Sequence, residues 1–143
     1  MQTDTPQTIY LKDYTPPAFL VDSVDLDFVI APGATTVSAT LAMRRNPVLA
    51  AQPLVLDGED LETLSVAVGG KKVPFSVTPN TLTIADVPDA FTLHTVVRID
   101  PDANTGLSGL YRSRDGYFTQ CEAQGFRRIT WFLDRPDVMA TYT

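Results

Sequence analysis

The chain holds one cysteine and one histidine in 143 residues, and each scarcity closes off a class of function. A lone Cys121 forms no internal disulfide and is expected as a free thiol, in keeping with a reducing compartment. One histidine and one cysteine do not make a His-rich zinc site, and neither His-Glu-x-x-His nor Gly-x-Ser-x-Gly occurs. The sequence therefore predicts no metal site, no nucleophilic triad and no catalytic residue within this chain. No run approaches the roughly 18 apolar residues that a membrane span requires. Met1 to Pro6 has neither the basic nor the apolar region of a secretory signal, so a cytoplasmic location is expected. Positive charge is also short, with 11 Lys and Arg against 17 Asp and Glu and a net charge of −6. That balance argues against nucleic acid as a partner.

What is present is ordinary for one soluble globular domain: 44% hydrophobic and 20% charged residues over a single-domain length. Residues 1–17 are polar and carry Pro6, Pro16 and Pro17, whose rings remove backbone donors, so an extended, partly mobile arm is expected. From Phe19 to Ile30 the residues Val24, Leu26, Phe28 and Ile30 alternate with Asp25, Asp27 and Val29, the period of a strand with one buried face. Thr35 to Arg45 repeats it, with Val37, Ala39, Leu41 and Met43 on one side, after a turn at Ala31-Pro32-Gly33. Short strands follow at Leu54–Leu56, Leu64–Val68, Lys72–Val77 and Thr81–Ala85, with Gly69-Gly70 predicting a tight hairpin into the third. Phe91 to Ile99 places Phe91, Leu93, Thr95, Val97 and Ile99 on one face. Many short strands separated by Gly, Pro and Asn, with no convincing helix, predict an all-β fold. The expected form is an antiparallel β-sandwich or a saddle-like curved sheet, truncated at its C-terminal edge near Val138 to Thr143. An open edge there predicts self-association.

The stretch from Gly109 to Pro136 departs from this pattern. It holds Arg112, Arg114, Arg127, Arg128 and Arg135, five of the eleven basic residues, together with Cys121 and Trp131. Gly109–Arg112 and Tyr117–Cys121 read as a hairpin around Ser113–Gly116, Gly125 as a sharp turn, and Phe126–Phe132 as either a strand or one helical turn. Gln120 and Glu122 lie two apart, so on a strand both point to one face, where an amide oxygen and a carboxylate together accept hydrogen bonds from an ammonium group. The plainer alternatives are a solvated or Arg-paired Glu122 and an edge-strand Gln120. Cys121, pointing the other way, is most simply a small buried apolar group. His94 reads as a surface histidine. Arg127 and Arg128 are expected to pair with carboxylates or pack on Trp131.

The ordered islands Gly109-Leu110-Tyr111, Thr119-Gln120-Cys121-Glu122, Gly125-Phe126-Arg127 and Leu133-Asp134-Arg135-Pro136-Asp137 carry a resemblance, with Leu56-Asp57-Gly58-Glu59-Asp60-Leu61 as a further island upstream. They resemble the N-terminal β domain of the bacterial aminopeptidases in the M1 zinc metallopeptidase family, weakly before Asp57 and strongly after it. Gln124 departs from the pattern, in which an acidic residue is expected. The resemblance implies that residues 1–143 form one β domain whose Gln120 and Glu122 help hold the free α-amino group of a peptide. It also implies that zinc belongs to the parent enzyme, and that the partners are the catalytic domain of the same polypeptide and the peptide N-terminus. The chain by itself is then expected to be inactive. The alternative is a free-standing β-sandwich module that uses the same face to bind a protein.

Overall fold

The computed structural model describes residues 8–143. Met1 to Gln7 of the expected arm lie outside the described residues, and the remainder of the arm is extended apart from one 3-10 turn at Leu11–Asp13. It is fastened at its end. The Tyr14 hydroxyl donates to Asp137 at 2.9 Å, and the Arg135 guanidinium donates to the Thr15 carbonyl at 2.7 Å.

The strands are β1 (Phe19–Val29), β2 (Thr35–Arg45), β3 (Leu54–Asp57), β4 (Glu62–Val68), β5 (Lys71–Lys72), β6 (Ser76–Val77), β7 (Thr81–Ile84), β8 (Ala90–Ile99), β9 (Gly109–Ser113), β10 (Gly116–Gln120) and β11 (Thr141–Tyr142). They form a six-stranded sheet in the order β11-β1-β2-β8-β4-β5, a three-stranded sheet in the order β3-β7-β6, and the β9–β10 hairpin. Neighbours run antiparallel except β11, which lies parallel to β1 with Val24 opposite Tyr142. The all-β expectation holds.

Alternation produces the core. Val37, Ala39, Leu41 and Met43 of β2 face Leu93 and Val97 of β8 on the buried side of the large sheet, and Leu54, Leu56, Leu82 and Ile84 bring the small sheet onto the same cluster. Each such side chain taken from water contributes roughly 1.5–3 kcal/mol. In β1 the buried set changes phase, from Phe19 and Val21 to Val24. A register shift between Val21 and Ser23 explains it, because one extra residue turns the following side chains over.

The predicted strand from Lys72 to Val77 is not continuous. Lys71–Lys72 pairs with β4 in the large sheet, while Ser76–Val77 pairs with β7 in the small one. Pro74 stands between them, and its missing N–H breaks the ladder where the chain crosses between sheets. The two lysines of β5 also form one margin of the large sheet, a residue type that discourages edge pairing. For Phe126 to Phe132, the helical alternative holds for the first part, a 3-10 turn at Phe126–Arg128, and Phe132 then forms an isolated bridge with Asp57.

Candidate functional site

The β9–β10 hairpin turns through Arg114 and Asp115, with Ser113 opposite Gly116 and Gln120 opposite Gly109. Arg114 takes φ 54° in this loop. Tyr111 and Phe118 stack across the hairpin with centroids 6.0 Å apart, and Phe118 is half exposed. Near the turn of the hairpin, Arg112 donates to Asp102, whose other carboxylate oxygen accepts the Gly33 N–H at 2.8 Å. The Gly33 N–H and then Arg112 hold the Asp102 carboxyl below its usual range.

β10 ends at Gln120, one residue short of the expected strand, so Glu122 is not on a strand face with it. The chain instead enters a turn over 122–125. The Gly125 N–H donates to the Cys121 carbonyl at 2.8 Å, and the Gln120 side-chain amide donates to the Glu122 carbonyl at 3.2 Å. The peptide bond between Glu122 and Ala123 is cis. Gln120 and Glu122 are both exposed and adjacent, joined through this side chain to backbone contact. Among the described residues the Glu122 carboxylate takes part in no ion pair.

Gly125 makes the turn possible by close approach, since its φ of −90° suits any residue. A Cβ there would lie 2.5 Å from the Gln120 carbonyl oxygen and 2.7 Å from Ser108 Oγ. Cys121, directly before Glu122, is half-buried against the core, and burial pushes its thiol up, with Asp134 adding to the effect. Phe126, Phe132 and Tyr142 cluster beside it, Phe126 and Phe132 edge to face at 4.9 Å.

Beneath the turn, the structure brings together two parts of the chain that are about 70 residues apart. Asp57 and Phe132 exchange backbone hydrogen bonds of 2.8 and 3.1 Å, and Asp57 Oδ2 accepts the Asp134 N–H at 3.1 Å. Arg127 donates its backbone N–H and its Nε to Asp134 Oδ2, at 3.1 and 2.9 Å. Arg128 reaches Glu59 at 2.7 Å and Asp60 at 3.1 Å. Arg127 and Arg128 thus pair with carboxylates as expected. Trp131 is buried and donates from Nε1 to Thr63 Oγ1 at 2.9 Å. Sequence reasoning did not assign Asp57, Glu59 or Asp60 to the site. Their signal was the Leu56–Leu61 island itself, which had no stated role until its partner segment was placed against it. His94 lies on the outer face of the large sheet, hydrogen-bonded to Thr40 at 3.0 Å.

Among the described residues no group of three His, Cys, Asp or Glu side chains is arranged to hold a metal ion, and no helix is long and apolar enough to cross a membrane.

The chain matches the N-terminal region of the M1 aminopeptidases. Among its relatives, it is 47% identical to aminopeptidase N of Caulobacter vibrioides over 100% of this chain, and 42% identical to aminopeptidase N of Escherichia coli over 99%. It spans only 17% and 16% of the length of those two proteins. The crystal structure of Legionella pneumophila aminopeptidase A superposes with a TM-score of 0.85 at 29% identity, covering 92% of this chain and 16% of that one. An M1 zinc metallopeptidase from Deinococcus radiodurans shares the fold, with a TM-score of 0.75 at 17% identity over 89% of this chain and 32% of that one. No protein-family model matches the chain.

Proposed function

We propose that the chain is the N-terminal β domain of a cytoplasmic zinc aminopeptidase, and that Gln120 and Glu122 receive the α-ammonium group of the peptide being trimmed. The observation that carries the reading is the unpaired, exposed carboxylate of Glu122 on a turn held against Gln120, within a chain that matches aminopeptidase N along its whole length. A carboxylate free of internal partners keeps its acceptor capacity for a ligand cation. Zinc and the bond-breaking groups belong to the catalytic domain of the same polypeptide, which is this domain's partner. Glu122 and Gln120 serve to orient the peptide's first residue and take no proton from the reacting centre.

The test is made in the full-length polypeptide with a pair of competitors, one bearing a free α-amine and one N-acetylated. Loss of a charge-assisted hydrogen bond is worth roughly 1.5–3 kcal/mol, so Glu122→Ala is expected to lower kcat/KM by about one to two orders of magnitude. Gln120→Ala costs less. Wild type discriminates strongly against the acetylated competitor, Glu122→Ala only weakly, and zinc content stays constant. A Glu122→Ala variant with full discrimination, or one stripped of metal, overturns the assignment.

A further inference from the structure

We propose that Arg128 is a positioning residue for the amine site, setting Gln120 and Glu122 in register with each other and with the Gly58–Leu61 loop. This rests on the reading of Gln120 and Glu122 given above.

Both site residues connect to this one residue, Gln120 through the Arg128 Cβ and the turn of Glu122 through the Arg128 backbone. Gln120 stands opposite Gly109 in the hairpin. Gly109 takes φ +76°, and a Cβ on it would lie 2.6 Å from the Arg128 Cβ and 3.3 Å from the Gly125 carbonyl oxygen. The root of Arg128 is thus seated directly against the residue that pairs with Gln120. On the other side, the Arg128 N–H donates to the Gly125 carbonyl at 3.1 Å, and the Gly125 N–H donates to the Cys121 carbonyl at 2.8 Å, next to Glu122. Two hydrogen bonds therefore connect Arg128 to the turn that carries the carboxylate.

The far end of the side chain fixes this assembly in space. One terminal nitrogen binds Glu59 and the other binds Asp60, while the buried Nε has no partner. The loop it grips is joined to the same segment through Asp57 and Phe132 and through the Glu59 N–H to the Arg127 carbonyl at 3.0 Å. Asp60 is largely exposed, so its ion pair adds little to stability on its own account, while the Glu59 pair is partly buried. Their geometric effect is larger: a planar guanidinium held by two separate carboxylates has one orientation, and a small displacement of an oriented ligand group costs far more in rate than in stability.

The experiment uses the full-length polypeptide carrying Arg128→Met, which keeps an aliphatic stem of similar reach, alongside Arg128→Lys, Glu59→Gln and Glu122→Ala. Zinc content and melting temperature are measured for each. Arg128→Met is expected to lower kcat/KM by about tenfold and to reduce the preference for the free-amine competitor over its N-acetylated form. Arg128→Lys restores part of that preference. A residue that only stabilises the domain would lower the melting temperature and leave the preference as in wild type. Should Arg128→Met fail to fold, Glu59→Gln is read in its place, with a smaller fall in the same direction. A wild-type preference in Arg128→Met, or in Glu59→Gln where that variant stands in, overturns the positioning role if Glu122→Ala has lost its preference. A wild-type preference in Glu122→Ala overturns the amine reading and this inference with it.

Discussion

The indole of Trp131 fills the space that a side chain on Gly58 would need: a Cβ built on Gly58 would lie 2.1 Å from Cζ3 and 2.3 Å from Cε3 of the ring. Trp131 is itself buried and held by Thr63, so it has little room to retreat. Gly58→Ala is expected to destabilise the domain by about 1–3 kcal/mol, the usual cost of forcing extra volume into a packed core. Chemical denaturation of the isolated chain measures it, and a midpoint equal to wild type would show that the ring yields freely.

The isolated chain is expected to release no amine from an aminoacyl anilide, with or without added zinc, because its donor groups do not assemble a metal site among the described residues. Chelator-sensitive turnover well above buffer would contradict this.

Stability should change at both ends of the pH range through the tie between the arm and the Asp137 segment. Arg135 chiefly, with Tyr14, holds the Asp137 carboxyl below its ordinary value. A depressed folded pKa contributes stability that is present above the unfolded value, near 3.8, and is lost as pH falls through the folded one. Tyr14 is raised, first by its hydrogen bond to Asp137, so its contribution is present below the unfolded pKa of 10.0 and is lost as pH rises through the folded value. Denaturation midpoints across pH should fall less steeply at both ends in Asp137→Asn than in wild type. Identical profiles would count against the tie.

Self-association of the isolated chain is expected from its exposed apolar residues. Val29 and Ile30 at the end of β1 are 61% and 49% exposed, and Met139 and Tyr142 near β11 are 82% and 51% exposed. Apolar surface left open in this way favours contact between copies. Sedimentation should reveal a concentration-dependent dimer that Ile30→Lys with Met139→Ser weakens; a monomer at every concentration would refute it.

The all-β class was legible because burial follows the period of two in β2 and β8, where Val37, Ala39, Leu41 and Met43 and then Leu93, Thr95, Val97 and Ile99 are buried as the alternation predicts. Local patterns fail where one residue changes the phase or the partner. The bulge after Val21 leaves no mark in composition, and Pro74 marks a break without saying that the chain then joins another sheet. Parallel pairing of β11 with β1 is likewise a contact between distant segments, with only Thr141–Tyr142 involved.

By itself the sequence determined the alternation, the turn at Gly69-Gly70, the side hairpin and, through its short islands, the likeness to M1 aminopeptidases. These rest on interactions between residues close in the chain, or on residue types kept in order. Only the tertiary structure decided that Gln120 closes a strand while Glu122 sits in a turn, and that Asp57, Gly58, Glu59 and Asp60 meet the following segment at Phe132, Trp131 and Arg128. The reason is physical: hydrogen bonds and ion pairs across about 70 residues depend on where the two sheets bring the backbone. No local periodicity encodes that distance.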